Sequence, residues 1–212
     1  MNSTLNTNLK NQVYSIIKSK LINCEYPPGS ILTEANLSKE LNFSRTPIRE
    51  AISILEVENL VKVLPKKGIL VTDILLSDVF QIFQARMEIE PLTLRLASYN
   101  LPTEELIAWK KQFENQPVGS VTDHKMDTAM HLFIIENCGN FYIIDMMKKV
   151  FEKNTRIIVY SKQNSSHIHD ARQEHIEILD SLIEQNYEQA ASQMRSHIAN
   201  CRKAAMDFFY KM

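Results

Sequence analysis

Only two stretches of the 212-residue chain read as β-strand, Leu60-Val61-Lys62-Val63-Leu64 and Ile69-Leu70-Val71-Thr72, and they flank Pro65-Lys66-Lys67-Gly68. Aliphatic runs around a Pro/Gly turn predict one hairpin with a basic tip. Elsewhere the apolar period is 3.6, which confines the chain to a mainly α fold with one small sheet. Upstream of the hairpin, Val13, Ile16, Ile17 and Leu21 predict a helix over 9–23 that Tyr26-Pro27-Pro28-Gly29 stops. Thr33 can cap a short helix carrying Leu37 and Leu41. The turn Asn42-Phe43-Ser44 then leads into a third helix over 45–58, with Ile48, Ala51, Ile52 and Leu55 on one face. Three helices and a hairpin, two of the helices joined by a short turn, are the order of a winged helix-turn-helix. From there to the end no strand is expected, and helices are predicted near 77–99, 103–115, 121–138, 140–160, 168–185 and 187–210, an all-α antiparallel helical bundle. The expected organisation is a DNA-binding domain over 1–73 and a helical domain over 74–212, two domains being a natural division at this length.

Composition narrows the function. With 24 basic and 25 acidic residues the net charge is −1, which excludes histone-like coating of nucleic acid but allows a local basic patch. Up to Asp73 there are nine basic and seven acidic residues, and after it fifteen and eighteen. Glycine occurs only at 29, 68, 119 and 139, so a glycine-rich phosphate loop has nowhere to form. The three cysteines, Cys24, Cys138 and Cys201, are irregularly spaced and suit a reducing cytoplasm. No apolar run approaches the roughly 18 residues of a membrane helix, and Met1 to Asn11 lacks an export pattern. A cytoplasmic protein without membrane association is expected.

The third helix opens with Ser44-Arg45-Thr46-Pro47-Ile48-Arg49-Glu50. Pro47 is tolerated because first-turn N–H groups lack intrahelical partners. Arg45 and Arg49, four apart, share a face, while Ser44 and Thr46 bring hydroxyls to the helix N-terminus, where phosphate is favoured. Arginine can bond a guanine edge bidentately, and Lys66 and Lys67 on the hairpin tip would reach adjacent phosphate or minor groove. These residues, together with Pro28-Gly29-Ser30-Ile31-Leu32-Thr33-Glu34, Leu41 to Ala51, Leu60-Val61 and Lys66-Lys67-Gly68, resemble the winged-helix domain of GntR-family bacterial transcription regulators over residues 8–73. The resemblance implies contact with an inverted-repeat operator through Arg45, Thr46, Arg49 and the wing glycine Gly68. Many relatives carry an arginine after the glutamate matching Glu34; this chain has Ala35, so one operator contact is missing or moved.

The helical part carries a polar set on apolar stripes. Asp127 and His131 are one helical turn apart on the face that continues through Met130, Ile134 and Cys138. His175 lies in the stripe of Ile168, Arg172, Ile178, Leu179 and Leu182, and His197 in that of Ala190, Met194, Cys201, Ala205 and Phe208. A turn is expected near Asn186; His175 stands 11 residues before it and His197 11 after, so both are about 16 Å from the turn and face each other. One divalent cation satisfies a buried carboxylate and three imidazoles together. Zn, Ni, Fe or Mn fit this donor set. His124, His167 and His169 lack such placement and read as loop or surface residues.

Arg86 with Glu90, Asp127 to His131, Cys138-Gly139-Asn140, Glu174 to Leu179 and Met194 to Ile198 are similar to the FCD effector domain found behind one branch of GntR regulators, in its shorter six-helix form. That resemblance implies metal roles for Asp127, His131, His175 and His197, and a small organic acid facing Arg86, Asn140 and Arg156. From charge alone Arg86 could equally pair with Glu90. The expected protein is a homodimeric, metal-containing transcription regulator, not an enzyme. Its rivals are a regulator for which the metal is the signal and a metal-dependent hydrolase.

Overall fold

The computed structural model describes residues 2–117, 124–164 and 170–210. The chain divides into two compact units, Met1–Ile74 and Leu75–Met212.

The first unit contains α1 (Asn2–Ile22), β1 (Ile31–Leu32), α2 (Glu34–Leu41), α3 (Arg45–Val57), β2 (Val61–Leu64) and β3 (Gly68–Val71). Thr33 caps α2 through Asn36 N–H at 3.1 Å, and Asn42 ends it in the left-handed conformation, φ 56°. Pro47, Ile48, Ala51, Ile52 and Leu55 form the buried face of α3. Ile48, Ala51, Ile52 and Leu55 join Val13, Ile17 and Leu21 of α1 and Leu37 of α2 in one core.

The sheet differs from the predicted hairpin by one strand. Its order is β1-β3-β2, all antiparallel, with Ile31 opposite Leu70 and Val61 opposite Val71. β1 is two residues long, too short for an alternating pattern to register. Its presence explains Gly68, where φ is +117° and a Cβ would lie 2.6 Å from the Leu32 carbonyl oxygen and 2.9 Å from Ile31 Cγ2. The third strand can approach only because residue 68 has no side chain. Gly68→Ala is therefore expected to destabilise the first unit by about 1–3 kcal/mol, read as an earlier midpoint in urea denaturation; an unchanged midpoint would contradict the strand packing.

The second unit consists of α4 (Leu76–Ala97), α5 (Thr103–Glu114), α6 (His124–Glu136), α7 (Phe141–Asn164), α8 (Arg172–Ile183) and α9 (Tyr187–Phe209). All six expected helices are present as a bundle in which α4 packs along α9, α8 on α5 and α9, and α7 on α4 and α6. Boundaries shift locally. α6 stops at Glu136, because Gly139 turns the chain with φ 71°, so Cys138 sits buried in the turn rather than on the helix. Residues 121–123 and Ile168, expected to be helical, lie outside the described residues. Apolar packing comes from Ile135, Met147 and Phe151, flanked by Ile89, Leu132, Ile143, Ile144 and Val150. Inside this apolar bundle Arg86 and Glu90 of α4, His131 of α6, Asn154 of α7, His175 of α8 and His197 of α9 are all buried. Among the described residues no helix is long and apolar enough to cross a membrane.

Candidate metal centre and nucleic-acid interface

Asp127 and His131 project from one face of α6, and α8 and α9 bring His175 and His197 to meet them. One donor atom from each of the four lies within 4.8 Å of the others. His131 Nε2 is 3.1 Å from His197 Nε2, and His175 Nε2 is 3.1 Å from Asp127 Oδ1. Donors bound at about 2.0–2.2 Å to one cation are roughly 3.0–3.5 Å from their neighbours, so these spacings suit a shared ion.

Tautomers strengthen the fit. His131 Nδ1 meets Glu90 Oε2 at 2.5 Å and His197 Nδ1 meets Glu174 Oε2 at 2.8 Å. Each carboxylate holds the proton on Nδ1 and leaves the Nε2 lone pair facing inward. Two such lone pairs 3.1 Å apart repel unless positive charge lies between them. Among the described residues His175 Nδ1 has no hydrogen-bond partner, and its Nε2 has only the Asp127 carboxylate, at 3.1 Å. A buried, poorly satisfied ring is costly, and a cation shared by these groups lowers that cost. Burial, and then the repulsion a second proton on the neighbouring His175 ring would meet, push His197 down to about 3, which leaves its ring neutral and able to ligate. Burial works against an ionised Asp127, but His175, His131 and His197 hold its carboxyl well below the usual carboxylate range. Cys201 Sγ lies 3.8 Å from His197 Nε2; burial pushes its thiol upward, so it is protonated.

Arg86 is joined to this centre through Glu90. Its Nε donates to Glu90 Oε1 at 2.5 Å and its Nη1 to Asn154 Oδ1 at 3.1 Å. Burial opposes the charge on Glu90, yet Arg86 and His131 hold the carboxyl down near 2. The pairing with Glu90 and a ligand-facing role are compatible, because among the described residues Arg86 Nη2 has no hydrogen-bond partner.

The other two residues expected at the acid differ. Asn140 is exposed, and its Oδ1 accepts from the N–H groups of Tyr142 and Ile143 at 3.1 and 3.3 Å, so it caps α7 rather than lining the buried centre. Arg156 is buried on α7, two residues from Asn154. His124 is the half-buried first residue of α6 rather than a loop residue, and His167 and His169 lie outside the described residues. Glu90 and Glu174 as ring anchors, and Asn154, were not assigned from sequence.

In the first unit Ser44, Arg45, Thr46 and Arg49 are exposed at the start of α3, as are Lys66 and Lys67 between β2 and β3. Lys67 N–H closes a turn on the Leu64 carbonyl at 3.0 Å, with Lys66 at φ 64°. Glu34 on α2 accepts from Arg49 Nε with both oxygens at 2.8 Å, which orients the guanidinium and leaves its two Nη groups for a ligand. An exposed arginine-bearing helix N-terminus and an exposed basic hairpin turn are features that winged-helix DNA-binding proteins use.

Comparison with known families agrees with both halves. The model of bacterial regulatory proteins of the gntR family matches residues 9–71, and that of the FCD domain matches residues 81–200, more than half of the chain. The chain belongs to the GntR family of DNA-binding transcriptional regulators, with an FCD domain at its C-terminal side. It is 25% identical over 194 residues to the HTH-type transcriptional regulator YdhC of Bacillus subtilis (strain 168), covering 88% of this chain and 86% of that one. It is also 25% identical over 223 residues to the Uxu operon transcriptional regulator of Escherichia coli (strain K12), covering 93% and 86%. The E. coli McbR/YncC structure shares the fold, with a TM-score of 0.75 at 21% identity over 96% of this chain and 97% of that one. These relatives are transcriptional regulators, not enzymes, and the hydrolase reading is set aside.

Proposed function

We propose that this regulator acts in the cytoplasm as a homodimer on an inverted-repeat DNA operator, holds a divalent metal in its helical unit, and changes operator affinity when a small organic acid binds beside that metal. The observation that carries the reading is the convergence of Asp127, His131, His175 and His197 next to the buried, unpartnered Arg86 Nη2. Asp127 and the three Nε2 atoms would hold the ion, which is Zn, Ni, Fe or Mn by donor type. When bound, such an ion supplies a Lewis-acidic position for a carboxylate oxygen. Glu90 and Glu174 fix the rings of His131 and His197, and Arg86 supplies a fixed positive charge to the acid. Acid binding would favour one of two conformations of the protein, a coupling typically worth about 1–3 kcal/mol.

On the DNA, Arg45 and Arg49 would read base edges while Ser44, Thr46, Lys66, Lys67 and the Gly68 backbone meet phosphate or minor groove. Arg49→Ala is expected to lower specific operator affinity roughly tenfold to hundredfold, measured by fluorescence anisotropy at fixed salt, with binding to random DNA reduced far less. Equal loss on both DNAs would make Arg49 a phosphate contact, and no loss would remove it from the interface. Adding a chelator without any acid separates the metal as signal from the metal as cofactor: DNA release by chelator alone would favour the first.

A further inference from the structure

Arg86 is buried between two aromatic rings and two hydrogen-bond acceptors. The rings of Phe83 and Phe151 cover its guanidinium, with centroids 5.5 and 4.7 Å from Cζ. Glu90 takes Nε and Asn154 takes one proton of Nη1, while among the described residues Nη2 has no hydrogen-bond partner. Asn154 is fully buried on α7. A guanidinium only donates, so the bond to Arg86 settles the amide: Oδ1 faces Arg86 and Nδ2 is the outer atom. That Nδ2 also has no hydrogen-bond partner among the described residues. Two unsatisfied donors thus occur in one hydrogen-bonded pair of buried side chains, where each is unfavourable by about 1–3 kcal/mol and native interiors leave few such atoms.

We infer that Asn154 is an effector-selecting residue, its Nδ2 and Arg86 Nη2 together donating to the two oxygens of one carboxylate. The inference rests on the organic-acid reading above and adds to it a residue on α7 that completes the anion clamp with Arg86. Because both positions only donate, the clamp accepts a carboxylate and disfavours a neutral amide, whose own NH₂ would face a donor. It also ties α4 to α7 through the ligand.

Acetate tests this, with acetamide as the neutral isostere, titrated calorimetrically into the zinc-loaded full-length chain. Wild-type protein is expected to bind acetate at least tenfold more tightly than acetamide. Asn154→Asp places a carboxylate against Arg86, replacing a donor by an acceptor of the same shape. It is expected to weaken acetate at least tenfold while zinc stoichiometry and helicity stay unchanged. Asn154→Ser, which is smaller and uncharged, covers the case in which the aspartate variant does not fold; it should lose the preference for acetate over acetamide. Acetate affinity within twofold of wild type in a folded, zinc-loaded variant would overturn the role of Asn154 and leave the organic-acid reading standing. Failure of wild-type protein to bind acetate would overturn both.

Discussion

Replacing His175 and His197 together by alanine is expected to abolish stoichiometric metal binding. The two rings supply half of the four converging donors, and loss of an outer partner alone commonly reduces metal affinity about 10- to 100-fold; losing two ligands exceeds that. Metal content by atomic emission after dialysis is the readout, with His124→Ala as a variant expected to retain the metal. Wild-type protein should also lose thermal stability on chelation, because an ion that binds only the folded state stabilises it by mass action. The double variant, having no ion to lose, should be insensitive to chelator. Stoichiometric metal in the double variant would refute the ligand set.

The second large effect concerns Glu90→Ala. Glu90 is 1% exposed and bonds both the Arg86 guanidinium and the His131 ring. Removing it leaves a buried guanidinium without its counter-charge, and breaking one side of a buried ion pair typically costs about 3–5 kcal/mol. Glu90→Gln keeps the shape and an acceptor oxygen but not the charge, so it should fall between wild type and alanine. Denaturant unfolding followed by helical signal measures both. The same variants should bind metal more weakly, since His131 loses the carboxylate that fixes its tautomer. Near-wild-type stability for Glu90→Ala would mean that Arg86 finds water or another partner, and the buried chain from Arg86 through Glu90 to His131 would not be a structural unit.

The geometry of these experiments was partly readable beforehand. One helical turn between Asp127 and His131, and equal distances of His175 and His197 from the turn at Asn186, are consequences of helix pitch, and pitch does not depend on context. The start of α3 was similarly readable, because Ser44, Pro47 and the apolar face of Ile48, Ile52 and Leu55 act within one helix. Glu90 and Glu174 were not readable as ring anchors: a glutamate on a helix is ordinarily solvated, and nothing local marks one that another helix covers. β1 gave no signal because two residues carry no period, and Gly68 acquires its reason only from the backbone of Leu32 lying against it.

Local periodicity, turn chemistry and charge therefore determined the two-part architecture, the exposed arginine-bearing start of α3 and four of the inward donors. Tertiary packing alone decided which acid holds which imidazole, that Asn140 caps a helix, and that Asn154 meets Arg86 across 68 positions of sequence. The reason is that hydrogen bonds between helices depend on azimuth and height, which the sequence leaves free until neighbouring helices pack.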